Sequence, residues 1–223
     1  MKPKRIISFL LAICLVAGLM PTVAFATGSD KAIMLGTEHL QGAQADNIYF
    51  GNYFQSNGAT KEPVKWRVLS NSDGKLFLLS DQNLDVFQYH TDWESVTWEK
   101  STMRSWLNGY GASENTGGDN GTDYTSDNFI GAAFSEKEQK AIAETTVVND
   151  DNPDYNTDGG NDTTDQIFLL SIEEANNSSY FPNGNDSRKS TNTAYVASYE
   201  NMYGVGEADF WWLRSPGDND SYA

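Results

Sequence analysis

The string Asp154-Tyr155-Asn156-Thr157-Asp158-Gly159 has the D-x-[DN]-x-[DN]-G spacing of a calcium-binding loop, and Asp162 and Asp165 follow at loop positions nine and twelve. Calcium takes about six to eight hard oxygens, which side chains at positions one, three, five and twelve supply around a glycine-enabled turn. Asp154, Asn156, Asp158, Asp162 and Asp165 are therefore the candidate metal ligands. Against this, ten of the seventeen residues in 149–165 are Asp or Asn, position twelve is Asp where Glu is usual, and no amphipathic helix enters the loop. The competing reading is a solvated acidic loop. Asp119, Asp123 and Asp127, in a second polar stretch over 108–128, follow no ligand spacing and read as solvated.

Six tryptophans offer aromatic faces on which the apolar side of a sugar ring can stack, with neighbouring Asp and Asn accepting hydroxyl protons. Trp66 and Trp106 fall on the apolar phase of a strand and a helix and read as core. Trp211 and Trp212 are adjacent on an extended stretch, so they face opposite ways. Trp93 and Trp98, in the polar segment 89–100, are the candidate ligand-binding residues. Arg104 and Arg214 stand in apolar surroundings and are expected to pair with buried carboxylates.

Support for catalysis is thin. His39 and His90 are the only histidines, and no G-x-S-x-G elbow or other nucleophile turn is present. A pair among the 31 acids could meet the separation that glycoside cleavage requires, which keeps a secreted glycan hydrolase as the alternative. The formal charge of -16 and pI near 4.3 argue against nucleic acid or anionic lipid as partner, because no basic face can neutralise phosphates. With 39% hydrophobic and 13% aromatic residues the chain can build a core.

The elements that must position these residues are short. The stretches 47–54, 64–69 and 75–80 read as strands of an antiparallel meander, with Asn71-Ser72-Asp73-Gly74 as a hairpin turn. Ser101 caps a helix through Met103, Trp106 and Leu107 that Asn108-Gly109 ends. Ser135-Glu136-Lys137-Glu138 and Ser171-Ile172-Glu173-Glu174 are capping boxes. Strands are expected at 145–148, 166–170 and 210–214. Without regular β-α-β alternation, the fold class is α+β.

The N-terminus carries an address. Lys2, Lys4 and Arg5 precede an apolar run over 6–18, and Ala24-Phe25-Ala26 is an A-x-A cleavage pattern. The run is short of the roughly 20 residues of a membrane span. The expected division is a signal peptide over 1–26, an exposed lead-in over 27–46, and a single domain over 47–223. Cleavage after Ala26 would take away three basic residues and Cys14, the sole cysteine, deepening the formal charge from -16 to -19. An exported chain of that kind holds no disulfide or cysteine-ligated metal.

The order Tyr49-Phe50-Gly51, Trp66-Arg67-Val68-Leu69, 101–108, 167–171 and Trp211-Trp212-Leu213-Arg214-Ser215-Pro216-Gly217 resembles a domain-of-unknown-function family of secreted Gram-positive proteins. The Trp-Trp-Leu-Arg-Ser-Pro-Gly string is its most specific mark. The pattern is distantly similar to the C-type-lectin-like fold shared by formylglycine-generating enzymes and variable ligand-binding proteins. Members continue past the Pro-Gly turn into further strands, so the resemblance implies a domain cut short at its C-terminal end. An apolar Trp211-Trp212-Leu213 edge without a covering strand points the same way. The combined expectation is a secreted, non-catalytic binding module of C-type-lectin-like α+β architecture. Its partner would be a glycan or protein at the cell surface, with Ca2+ as the candidate cofactor. A purely structural domain of a larger surface protein is the third reading.

Overall fold

The computed structural model describes residues 7–9, 11–16, 48–92, 94–115 and 121–217. The cleavage pattern at Ala24-Phe25-Ala26, the lead-in over 27–46, His39, Trp93 and Asp119 lie outside the described residues. The described elements are mixed sheets, largely antiparallel, and short helices, an α+β architecture. No helix among them is long and apolar enough to cross a membrane.

Two strands come first, β1 (Ile7–Phe9) and β2 (Ala12–Val16), followed by the meander β3 (Ile48–Phe54), β4 (Lys61–Ser72) and β5 (Lys75–Ser80). The meander forms as its pattern dictates. Val64 and Trp66 alternate inward on β4 and are fully buried, and Asp73 and Gly74 both take positive φ in the β4–β5 turn. That pair of left-handed residues suits the twist of a two-residue hairpin. The register of β3 shifts between Tyr49 and Asn52. Gly51 sits in this bulge at φ 70°, where a Cβ would come within 2.4 Å of the Phe134 ring. The Phe50 carbonyl there accepts the Trp66 indole N–H at 2.8 Å.

Next come β6 (Gln82–Asn83), β7 (Asp85–Phe87), a 3-10 turn (Trp98–Lys100), α1 (Thr102–Asn108), α2 (Phe129–Ala133) and α3 (Glu136–Gln139). The chain then forms β8 (Thr145–Val147), β9 (Thr163–Asp165), β10 (Ile167–Phe168), α4 (Ile172–Asn176) and α5 (Asn185–Arg188). It ends in β11 (Ser190–Asn192), α6 (Ala194–Ala197) and β12 (Ala208–Asp209). The main sheet has the order β10-β2-β5-β4-β3; β12-β11-β6 form a second sheet, and β1-β7 and β8-β9 are pairs.

The local signals hold where they were read. Ser101 accepts from Arg104 N and Gly109 closes α1 at φ 69°, while the capping boxes at Ser135/Glu138 and Ser171/Glu174 are both formed. Trp66 and Trp106 are core residues. Helices α1 and α2 lie against β10 and β3 respectively and against each other, and Phe129 joins them to the sheet, 4.7 Å from Tyr53 and 5.9 Å from Trp106 between ring centres.

Two strand expectations need correction. The aromatic stretch 210–214 is not a continuous strand: among the described residues the last strand ends at Asp209, and within the stretch only Trp211 sits in a single bridge. Trp212 Nε1 donates to Phe87 O at 3.2 Å, and Arg214 N donates to Leu170 O at 2.9 Å. The stretch 166–170 contributes only the two residues of β10 to a ladder. In the other direction, the insertion over 149–165 ends in β9, which pairs with β8 through Thr145–Asp165 and Val147–Thr163.

Candidate functional site

The insertion between β8 and β9 is built onto the framework from its root. Asp165 closes it and is 2% exposed. One carboxylate oxygen accepts Arg104 Nε at 2.7 Å and the Tyr110 hydroxyl at 2.9 Å, and the other accepts Trp98 Nε1 at 2.9 Å and the Thr163 hydroxyl at 2.6 Å. Ser101 capping starts α1 so that Arg104, in its first turn, reaches this carboxylate. Burial, then the Asp165 charge, pushes the Tyr110 phenol well above its ordinary range, so it remains a donor. With four donors on two oxygens, Asp165 is a fixed structural anchor.

This corrects the reading of Trp98 as a ligand platform. The side chain is fully buried, its N–H spent on Asp165 and its ring 6.3 Å from that of Tyr89. A polar neighbourhood in sequence gave no hint that the segment 89–100 turns its second tryptophan inward.

At its tip the insertion is held by Asn152, which is 3% exposed in a run of exposed residues. Its Nδ2 donates to Pro216 O at 2.8 Å, its Oδ1 accepts Asp154 N at 2.9 Å and Tyr155 N at 3.2 Å, and the Thr157 hydroxyl donates to Gly217 O at 3.0 Å. The loop therefore rests on the Pro216-Gly217 turn that closes the tryptophan-rich motif. On its far side, Asn161 Nδ2 donates to Glu99 Oε2 at 3.0 Å, and Gly160, at φ 81°, lies against Thr97. The segment 94–100 and the insertion thus form one surface.

The predicted ligands do not share a centre within it. Asp158 Oδ1 accepts Gly160 N at 2.9 Å, Asp162 Oδ1 accepts Asn149 N at 3.0 Å, Asn156 takes a left-handed φ of 62°, and Asp165 is consumed as described. Asp151 Oδ1 accepts Gly159 N at 3.1 Å. Among the described residues no group of three or more His, Cys, Asp or Glu side chains is placed to hold a metal ion. The carboxylates Asp150, Asp151, Asp154, Asp158 and Asp162 instead shape the loop backbone or face solvent, with Tyr155 61% exposed among them.

Arg214 holds the entry to the insertion. Its Nη1 donates to Leu169 O at 2.7 Å and to Glu174 Oε2 at 2.5 Å, and its Nη2 to Val148 O at 3.0 Å. Val148 is the residue that leads into the insertion. The arginines singled out by their apolar context therefore do pair with carboxylates, Arg104 with Asp165 and Arg214 with Glu174.

A second polar cluster escaped the sequence reading. Asp85, 7% exposed on β7, accepts the Tyr53 hydroxyl at 2.5 Å, the Tyr199 hydroxyl at 3.2 Å and Val86 N at 2.7 Å, and Tyr199 shares a hydrogen bond of 2.7 Å with Tyr195. Desolvation raises the Asp85 carboxyl above its ordinary range, against the lowering effect of those bonds. The one sequence signal was a charge inside the apolar run Leu84-Asp85-Val86-Phe87; its partners lie 32 and 114 residues away. His90, by contrast, faces Glu94 at 3.3 Å and Thr102 at 3.4 Å.

No curated protein and no solved structure matches this chain. A family model does, over residues 73–223, beginning at the β4–β5 turn and taking in α1, the insertion and the Arg214 clamp. That span is more than half of the chain, which therefore belongs to the family described as Domain of unknown function (DUF6273).

Proposed function

We propose that the chain is an exported, non-catalytic binding module of C-type-lectin-like type. Its recognition surface is the acidic face made by the insertion 149–165 and the segment 94–100, and its partner is a glycan or protein at the cell surface. The observation that carries this reading is the double anchoring of the insertion. A long polar loop held at its tip by Asn152 and at its root by Asp165 presents carboxylates and Tyr155 in fixed positions. Pre-ordering of this kind lowers the entropy cost of binding, and functional residues gather on loops carried by a rigid scaffold. Export is supported by the N-terminal charge, apolar run and Ala24-Phe25-Ala26 pattern.

The test is a glycan array and a cell-surface binding assay, each run with and without chelator, comparing the wild type with Tyr155→Ala and Asp154→Asn/Asp158→Asn. Binding that these variants reduce at least tenfold supports the reading, and binding that they leave unchanged overturns it. The chelator arm decides on calcium, since loss of binding on chelation supports an ion at this face and unchanged binding removes it.

A second reading, a glycan hydrolase using paired carboxylates, has one observation in its favour. Asp85 is a carboxyl with a raised pKa beside partly exposed tyrosines, which is what a general acid needs. Release of reducing ends from cell-wall or soluble glycans, abolished in Asp85→Asn, would favour it over binding alone.

A further inference from the structure

Asn149, the first residue of the insertion, is 8% exposed. Its main-chain N–H donates to Asp162 Oδ1 at 3.0 Å and its Nδ2 to Asn161 O at 2.8 Å, so the side-chain amide is fixed against the returning arm of the loop. The Oδ1 of the same amide is buried and, among the described residues, meets no donor. A buried acceptor in that position is costly unless a water or an ion meets it.

Other oxygens gather beside it. Asn149 O and Asp150 O lie 2.3 and 2.4 Å from the point that a Cβ on Gly159 would occupy, so two carbonyls of the outgoing arm converge on a glycine of the returning one. Asp151 Oδ1 accepts Gly159 N at 3.1 Å, and Asp162 Oδ1 accepts Asn149 N. Both aspartates are exposed and each is pinned through one oxygen only. The whole stretch 149–165 carries no Lys or Arg. Arg214, which reaches Val148 O next to it, has its charge met by Glu174.

We propose that the neck of the insertion, where its two arms meet, is a calcium site. Asn149 Oδ1 is its buried ligand, the Asn149 and Asp150 carbonyls and the Asp151 and Asp162 carboxylates are its other protein ligands, and water makes up the rest. The donor set selects the metal. Ca2+ accepts carbonyl, amide and carboxylate oxygens together in a flexible geometry, whereas Mg2+ demands a near-ideal octahedron and dehydrates reluctantly. Without His or Cys among the donors, the softer transition metals have little hold. This is not the site that loop spacing suggests: of those residues it uses Asp162 alone, and carbonyl oxygens stand where a third carboxylate would. The ion ties 149–151 to 159–162 and so completes the ordering of the loop. The site stands on the geometry of the neck, independently of what the acidic face recognises.

The test is calorimetric titration of the full chain, stripped by chelator and without any partner, with calcium chloride. One ion per chain is expected, with a Kd in the ~10⁻⁴–10⁻³ M range of extracellular modules. Ca2+ should also slow amide exchange at 149–151 and 159–162 at least fivefold, with Mg2+ at the same concentration doing neither. Asp162→Asn, exposed and able to keep its bond to Asn149 N, is expected to weaken Ca2+ at least tenfold and Asn149→Ala to abolish it, while Asp154→Asn changes it less than twofold. Asp162→Asn decides the matter if Asn149→Ala fails to fold. No heat and no change in exchange at about 10 mM Ca2+, well above that range, overturns the site and leaves a water on Asn149 Oδ1. Affinity that falls with Asp154→Asn and not with Asp162→Asn overturns it too, by placing the ion on the spacing motif, and an equal response to Mg2+ overturns the choice of calcium. A chain that takes up Ca2+ at the neck yet binds no glycan or surface protein supports the site while overturning the recognition reading.

Discussion

Arg104 Nε lies 2.7 Å from Asp165 Oδ1, joining the first turn of α1 to the end of β9 across 61 residues of chain. The Arg104 side chain is 15% exposed and the Asp165 side chain is fully buried. A pair this dry is stabilising only if its remaining lone pairs are satisfied, and Trp98, Tyr110 and Thr163 satisfy them.

Removing the carboxylate strands three buried donors and a cation. Asp165→Ala is expected to cost about 3–5 kcal/mol, which for a chain of this size lowers Tm by roughly 10 °C. Arg104→Lys, which keeps the charge but loses the fork to Tyr110 and Glu99 O, should cost less than half of that. Urea midpoints at unchanged m-value check both. Equal losses would mean that the cation, not the carboxylate, organises the cluster.

Asn152→Ala separates folding from the binding face. Asn152 makes bonds to Pro216 O and to Asp154 N, but the loop it holds carries little of the core. The expected result is a stability change of about 1–3 kcal/mol, together with new proteolytic cleavage confined to 150–158 and loss of partner binding. Limited proteolysis followed by mass spectrometry reads this directly. A cleavage pattern identical to wild type would show that the loop is held without the tip anchor.

Gly159 tests how tightly the insertion is packed. A Cβ there would meet Asn149 O at 2.3 Å and Asp150 O at 2.4 Å, both backbone atoms, whereas one at Gly74 would meet nothing within 4 Å. Gly159→Ala must therefore move backbone, at about 1–3 kcal/mol. Gly74→Ala carries only the strain of its φ of 71°, about 1–2 kcal/mol. Only Gly159→Ala is expected to weaken binding, since the shift falls inside the recognition face; calorimetric Tm and the binding assay together distinguish the two.

What was legible in the sequence was what is settled within a few residues. Ser135 with Glu138 and Ser171 with Glu174 satisfy one another's orphan amides locally, and Asp73-Gly74 sets the β4–β5 hairpin by its own backbone preference. The sites depend on distant partners. Asp165 has the spacing of a calcium ligand, but Arg104 and Trp98, 61 and 67 residues away, take its oxygens first. The stretch 210–214 has strand composition, yet only Trp211 enters a single bridge, and its other anchors, Phe87 O and Leu170 O, lie far apart in the chain. Asn152 was one polar residue among many, and only its burial marks it as the anchor.

The Asp85 cluster predicts a pH dependence whose sign follows from its burial. Desolvation raises the Asp85 carboxyl in the folded state, so the fold binds this proton more tightly than the unfolded chain does, whose carboxyl titrates near about 3.9. The stability this group contributes is fully present below that value and is lost as pH rises through the folded pKa. Asp85→Asn, fixed as neutral, removes the term. The difference in stability between wild type and Asp85→Asn should therefore shift in favour of the wild type as pH falls, with the acid unfolding of all other carboxylates cancelling in the comparison. Tyr53→Phe should move the window further up, because the Tyr53 hydroxyl bond is the largest effect holding the Asp85 pKa down. At neutral pH it should also cost about 1–3 kcal/mol for a buried acceptor left short of a donor. Burial, then the Asp85 charge, raises the Tyr53 phenol far above its ordinary range, so the tyrosine remains a donor throughout and does not blur the profile. Urea midpoints for the three proteins across the acid to neutral range decide it: parallel profiles for wild type and Asp85→Asn would mean that Asp85 titrates as it does in the unfolded chain.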